Sequence, residues 1–221
     1  MERKVILTAD GSSTIHLTEW DENYHSKHGA IQEAKHVFIK SGLDLFSNQE
    51  INILEIGFGT GLNCFITFLE AEARNLQINY TGVEAYPISS EELKHLNYVT
   101  ELRAEESTTI FDTMHAIPWG IQHRITESFQ LTKRQQFFNE INDKNSFNLI
   151  YFDAFGARVQ PELWTEEIFQ LMYNSLKENG VLVTYSAKGS VRRALQTVGF
   201  LVEKLPGPPG KREMLRATKK L

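Results

Sequence analysis

The stretch NILEIGFGTGLNCF, residues 52 to 65, runs strand-forming aliphatics into three alternate glycines and then into a helical pattern. Ile51 to Ile56 is short, apolar and stopped by glycine, which predicts a buried strand. Leu62, Phe65, Ile66 and Leu69 in LNCFITFLEAEARN (residues 62–75) recur at helical spacing. Between them Gly57, Gly59 and Gly61 carry no side chain, so the backbone there can take φ > 0 and be approached closely. A strand, a glycine loop and a helix in that order predict that something lies against the loop.

Outward from this loop the chain keeps alternating. INYTGVE (78–84) reads as the next strand, and SSEELKHLNYVTEL (89–102) as a helix opened by serine and early acids. Pro118 and Gly120 interrupt the stretch that follows, after which SFQLTKR (128–134) reads as a third strand and FNLIYFDAF (147–155) as a fourth. TEEIFQLMYNSLKENG (165–180) carries Ile168, Leu171, Met172 and Leu176 on one stripe, with Thr165 to cap it and Gly180 to end it. VLVTYS (181–186) is a fifth strand, and SVRRALQTVG (190–199) a further helix with Val191, Ala194, Leu195 and Val198 in register. The end departs from the alternation: residues 200–219 hold two strand-like runs joined by a Pro/Gly loop with no helix between, which is a hairpin. The pattern predicts a doubly wound parallel sheet with an antiparallel terminal strand. Residues 1–50, polar and aromatic, are expected to form an extension or cap on a main domain of residues 51–221.

Composition narrows the classes. A chain of 221 residues can bury a core as one larger domain. No apolar run approaches the roughly 18 residues of a membrane span, and no secretion signal is legible, so a soluble cytoplasmic protein is expected. The single Cys64 excludes an internal disulfide framework and a multi-cysteine zinc site. His25 and His28 lack a downstream ligand cluster, so no metal site is expected. The net charge of −5 conceals an asymmetry: residues 186–221 hold nine Lys/Arg against Glu203 and Glu213. An acidic body with a basic end suits local contact with a polyanion, although a solvated tail and a wet helix face would look the same.

In a doubly wound sheet the ligand crevice lies at the carboxyl ends of the strands. That directs attention to Glu55–Gly61, Glu84, 153–156 and 186–189. The loop reads G-x-G-x-G, with Leu62 where a dinucleotide fingerprint requires glycine, which weakens the case for a bound pyrophosphate. Glu84 ends the next strand, where a carboxylate can accept both hydroxyls of a ribose. A ribose-containing ligand is therefore expected.

These residues resemble the class I S-adenosylmethionine-dependent methyltransferases. LEIGFGTG (54–61) is similar to their first motif, with Glu55 as its acid, and Glu84 looks like their ribose-binding carboxylate. The resemblance implies a Rossmann-like fold, a seven-stranded mostly parallel sheet with an antiparallel terminal hairpin and helices on both faces, and S-adenosyl-L-methionine as cofactor. It assigns Glu55, Gly57, Phe58, Gly59, Gly61, Asn63, Glu84 and Asp153 to cofactor binding. The adenine-contacting stretch of the family departs here to TKRQQFF (132–138), leaving Gln135 or Gln136 as its candidate, of which Gln136 is preferred.

Three further stretches carry a narrower resemblance: residues 21–43, 151–169 and 207–218, beginning DENYHSKHG, YFDAFGARV and GPPGKREML. With the glycine loop they are similar to the methyltransferase domain of the bifunctional tRNA-modifying MnmC family. The implied type is the stand-alone form, MnmD, without the flavin-dependent domain. It would methylate the amine of 5-aminomethyl-(2-thio)uridine at the wobble position but would not generate that amine. The implied partners are the tRNA anticodon arm and an enzyme supplying the intermediate. An alternative is a small-molecule transferase or nicotinamide oxidoreductase on the same fold; a noncatalytic RNA-binding module is another.

Methyl transfer to an amine requires alignment and the loss of a proton, since a primary alkylamine has a pKa near that of lysine. Asp153, directly after the fourth strand, is the candidate catalytic group, orienting the amine and assisting proton loss. Phe155 and Trp164 could wall the base pocket or stack on uracil, with ordinary packing the competing reading for Trp164. Lys211, Arg212 and Arg216, with Arg192 and Arg193, are candidates for phosphate contacts, and Tyr24, His25 and His28 could cover the cofactor.

Overall fold

The computed structural model describes residues 2–220. Eight strands form the main sheet. In chain order these are β4 (Gln49–Ile56), β5 (Leu76–Glu84), β6 (Gln122–Arg124), β7 (Phe129–Gln135), β8 (Phe147–Phe152), β9 (Leu176–Thr184), β10 (Phe200–Pro206) and β11 (Glu213–Lys219). The small strands β1 (Arg3–Leu7), β2 (Ser13–Leu17) and β3 (Glu22–Asn23) precede them and make a separate antiparallel sheet. The helices are α1 (Ala30–Ala34), continued by π-helical turns over Lys35–Lys40, α2 (Leu62–Ala71), α3 (Ser90–Leu93), α4 (Tyr98–Glu101), α5 (Thr108–Ala116), α6 (Glu166–Ser175) and α7 (Gly189–Thr197).

The main sheet has the order β10-β11-β9-β8-β4-β5-β7-β6. β4, β5, β7, β8 and β9 are parallel, and β11 inserts antiparallel between β9 and β10. The chain leaves β4 toward β5 on one side and returns to β8 on the other. The crevice of the fold therefore opens above β4 and β8. Because neighbouring side chains on a strand point to opposite faces, β4 sends Ile51 and Ile53 into one core with Phe38, Phe65 and Tyr151. It sends Leu54 and Ile56 into the other, with Phe152, Phe169 and Leu195. Each fully buried side chain of this size contributes about 1.5–3 kcal/mol.

The seven predicted strands are present, joined by an eighth. β6 is three polar residues paired antiparallel to the edge of β7, too short and too hydrophilic to leave a periodic signal. The helix expected over 89–102 is two short helices, α3 with a Ser89 capping box and α4 after Asn97. The helix expected to run to Gly180 stops at Ser175, and Leu176 already pairs with Phe147. The register then jumps to Leu149 opposite Val181, so Lys177–Gly180 is an excursion inside a strand, with Asn179 at φ +60. Glycine and asparagine here serve a bulge, not a helix end.

Gly82 has a packing role. A Cβ on it would run into the ring of Phe58, which lies buried over β5. Gly82→Ala is expected to destabilise the fold by about 1–3 kcal/mol through overpacking, read as a lowered urea midpoint at unchanged m-value.

Candidate cofactor and acceptor site

The glycine loop joins β4 to α2 with Gly57, Gly59 and Gly61 at φ +88, +48 and +73. All three need the left-handed region, and protein atoms crowd each one. A Cβ at Gly57 would stand 2.7 Å from the Asp153 carbonyl oxygen, one at Gly59 would stand 3.2 Å from the Tyr24 ring, and one at Gly61 would stand 3.0 Å from His115 Nε2. The expectation that something lies against the loop thus has a first answer inside the chain.

The other faces of the loop are polar. Glu84, the last residue of β5, accepts from Gly59 N–H at 3.0 Å and from Tyr86 N–H at 2.9 Å. On the opposite side the Asn63 amide, on the first turn of α2, donates through Nδ2 to Glu55 Oε1 at 3.0 Å and to Asp153 Oδ2 at 2.8 Å. Glu55 also accepts from Tyr80 Oη at 2.8 Å. Burial pushes the Glu55 carboxyl well above its usual value. Burial first, then the negative charge of Glu33, pushes Asp153 up to about 7, against the opposing effects of the Asn63 hydrogen bond and Lys211. Asp153 sits one residue past β8, its N–H bonded to the Ile56 carbonyl at 2.9 Å.

A sulfonium nucleoside fits this donor and acceptor set. Asn63 Oδ1 is buried without a donor among the described residues. A buried acceptor left unpaired is costly, and the ammonium of an amino-acid tail would satisfy it beside the Asp153 carboxylate. Glu84, whose two oxygens accept from the Gly59 and Tyr86 N–H groups, keeps lone pairs that could accept from the two hydroxyls of a ribose.

The small N-terminal sheet crosses the mouth of this crevice. Arg3 Nη2 donates to Tyr86 O at 2.9 Å beyond β5. Arg158 donates to Trp20 O at 3.0 Å and to Glu22 Oε2 at 2.8 Å beyond β8. Tyr24 and Trp20 lie edge-on to Phe155 at 5.0 and 5.8 Å. Of the three N-terminal residues expected near the ligand, Tyr24 touches the loop. His25 instead packs inside the segment against Thr14 and Tyr98, where burial pushes its imidazole down to about 4, and His28 packs on the loop glycine Gly210 of the hairpin.

Other expected residues are placed differently. Phe58 is buried between Gly82, His115 and Trp119, beneath the loop. Trp164 is buried among Phe152, Phe169 and Tyr185 and donates Nε1–H to Phe155 O at 2.7 Å. It braces the loop after β8 from behind. Trp164→Phe is expected to cost about 1–2 kcal/mol by stranding that carbonyl, measured by denaturant unfolding. Arg216, on β11, is opposite Glu203 on β10 and bonds it at 3.1 Å, as cross-strand register dictates. Lys211 turns inward to Glu33. Neither is free for a phosphate, whereas Arg212 and Arg193 are exposed. Gln136 follows β7, half-buried, and Gln135 is paired in register with Glu84. Beside them Tyr86 and Phe137, 61% exposed in the first case, form an edge-to-face pair at 6.0 Å that sequence reading missed. An exposed aromatic following each strand end was the available signal.

Among the described residues no group of three or more His, Cys, Asp or Glu could hold a metal ion, and no helix is long and apolar enough to cross a membrane.

Comparison with known proteins adds independent observations. A family model described as S-adenosyl-L-methionine-dependent methyltransferase matches residues 123–220. The chain is 29% identical over 216 residues to the tRNA 5-methylaminomethyl-2-thiouridine biosynthesis bifunctional protein MnmC of Idiomarina loihiensis, covering 90% of this chain and 36% of that one. It is 31% identical over 212 residues to the MnmC protein of Leptospira borgpetersenii serovar Hardjo-bovis, covering 89% and 32%. The chain thus spans about a third of the length of these relatives. Among solved structures, MnmC2 from Aquifex aeolicus superposes with a TM-score of 0.76 at 24% identity, covering 99% of this chain and 70% of that one. Spermidine synthase from Thermotoga maritima superposes at 0.57 and 14% identity, covering 98% and 68%, which speaks to the fold alone. The family match spans Asp153 and the terminal hairpin, and the structural likeness takes in the whole sheet: the chain has the Rossmann-like fold of these structures, and its residues 123–220 match the S-adenosyl-L-methionine-dependent methyltransferase model.

Proposed function

We propose that the chain transfers the methyl group of S-adenosyl-L-methionine to the primary amine of 5-aminomethyl-(2-thio)uridine at the wobble position of tRNA, giving 5-methylaminomethyl-2-thiouridine. The observation that carries this reading is Asp153, a carboxyl in the cofactor crevice whose proton affinity burial has moved up to about 7. An ordinary carboxylate is a poor acceptor for the proton of an alkylammonium; one matched to neutral pH is a better one. The relatives' names, which concern 5-methylaminomethyl-2-thiouridine biosynthesis, supply the substrate class.

In this reading Glu84 holds the ribose, and Asn63 and Asp153 hold the amino-acid end, with Gln136 and the Tyr86–Phe137 edge beside the base. When bound, the cofactor supplies a sulfonium-activated methyl that a neutral amine accepts as the sulfur–carbon bond breaks. Asp153 accepts hydrogen bonds from the incoming amine, points its lone pair and takes or relays its proton to water. Phe155, under Trp20 and Tyr24, faces the acceptor side. Arg192, Arg193 and Arg212 remain for the phosphates of the anticodon arm, and a separate enzyme must supply the aminomethyl group. The site of action is the cytoplasm, where tRNA is modified.

The test compares initial rates of labelled-methyl transfer to tRNA carrying 5-aminomethyl-2-thiouridine, to the free nucleoside and to simple alkylamines. The proposal expects the tRNA to be preferred by at least about a hundredfold in kcat/KM, the contribution of a few phosphate contacts. Equal rates on the free nucleoside or alkylamines would assign a small-molecule enzyme instead.

A further inference from the structure

Lys211 lies in the turn of the terminal hairpin, and the turn aims it inward. Gly207 N–H bonds the Arg212 carbonyl at 3.1 Å, Lys211 N–H bonds the Pro208 carbonyl at 2.9 Å, and Gly210 takes φ +83. The Lys211 ammonium then meets two partners. It donates to Glu33 Oε1 at 2.5 Å, and it sits 3.9 Å from the centroid of the Tyr185 ring. Glu33 is only 8% exposed, and its other oxygen accepts from Ser26 N–H at 2.8 Å. Tyr185 follows β9 and donates its hydroxyl to the Ala154 carbonyl at 2.8 Å, one residue from Asp153. A lysine held by a carboxylate and an aromatic face has little freedom, and both contacts are strengthened by partial desolvation.

The charged and titratable groups around Asp153 come from four other elements. Glu55 arrives from β4, Glu33 from α1, Tyr185 from the end of β9 and Lys211 from the hairpin turn, while Asn63 on α2 supplies the hydrogen bond. Of these, the Glu33 carboxylate opposes a negative charge at Asp153 and Lys211 is the cation that favours it, while burial pushes the Glu55 carboxyl and the Tyr185 phenol well above their ordinary values, toward their neutral forms. Without Lys211, burial and the Glu33 charge would hold the Asp153 proton at the pH where an acceptor is needed.

We propose that Lys211 is a positioning residue of methyl transfer: clamped between Glu33 and the face of Tyr185, it supplies the fixed positive charge that keeps Asp153 ionised beside the incoming amine. The same charge disfavours the protonated form of that amine, so both partners are biased toward the reactive state. This deepens the amine-acceptor reading above and rests on it. It also explains why a lysine of the basic C-terminal end faces the interior while Arg212, the next residue, is exposed.

The test is a carboxyl NMR titration of aspartate-labelled protein without cofactor or RNA, with Asp153 assigned through Asp153→Asn. In the parent chain the Asp153 midpoint is expected near 7. Lys211→Met should move it upward by about one pH unit, the size expected for loss of a nearby opposite charge, and Lys211→Arg should restore it most of the way. The lower limb of the pH–rate profile for methyl transfer should move in the same direction, costing about fivefold at pH 7 and little at pH 9. Should Lys211→Met fail to fold, Lys211→Gln, which retains a donor for Glu33, makes the same comparison. An Asp153 midpoint unmoved in the folded variant would overturn the proposal. A parent protein that titrates as expected yet methylates no amine of the tRNA would instead overturn the reading on which it rests.

Discussion

Asp153→Asn is expected to lower methyl transfer by about 10²–10⁴-fold at pH 8, the range for removal of a positioned proton acceptor, and at the same time to stabilise the fold. Asparagine keeps an acceptor for Asn63 Nδ2, so the geometry of the crevice survives while the titrating group is gone. The stabilisation follows from linkage. The folded carboxyl titrates at about 7, above its ordinary value of 3.8, so between those values the folded chain retains a proton that the unfolded chain has lost. Stability therefore declines as pH rises from about 4 to about 7, and the whole penalty is present above 7. Removing the carboxyl relieves roughly 1–3 kcal/mol of it at pH 8, visible as a rise of several degrees in melting temperature. At pH 4 the two proteins should melt together. An inactive variant with unchanged stability at pH 8 would mean that Asp153 is solvated and not held near neutrality; a fully active one would remove it from the reaction.

Glu84→Ala should weaken cofactor binding by about a hundredfold, because two charge-assisted hydrogen bonds at roughly 1.5 kcal/mol each are at stake. In the free chain those acceptor positions face Gly59 and Tyr86 N–H groups, so the carboxylate also fixes the loop that would receive the ligand. Glu84→Gln, which keeps the reach and loses the charge, should fall between. Titration calorimetry with S-adenosylhomocysteine reads this directly, and an unchanged Kd in Glu84→Ala would place the ribose elsewhere.

The parts of the fold that could be read before any coordinates were those written in local pattern. β4, β5, β7, β8 and β9 are short apolar runs punctuated by glycine, acid or turn residues, and the Pro/Gly loop between β10 and β11 leaves a hairpin as the only short connection. What could not be read was set by partners distant in sequence. β6 exists because β7 offers an edge for three polar residues. Leu176 begins a strand because Phe147 is opposite it, although the helical stripe of α6 runs through it without a break. In the candidate site, Glu55, Glu84 and Asp153 followed from the rule that ligands bind at strand ends. Lys211 and Arg216 were legible as positive charge and nothing more. Glu33, which turns Lys211 inward, lies 178 positions away, and Glu203 captures Arg216 only through hairpin register. Trp164 illustrates the same limit, because one carbonyl nine residues back decides that it braces a loop.

The account stands most directly on the identity of the methylated product. Single-turnover incubation of the protein with isotopically labelled S-adenosyl-L-methionine and tRNA lacking only the final methyl, followed by nucleoside digestion and mass spectrometry, should place the label on one nucleoside, 5-methylaminomethyl-2-thiouridine, with every other nucleoside unlabelled. Label on a base carbon, a ribose oxygen or no nucleoside at all would contradict an amine acceptor held at Asp153.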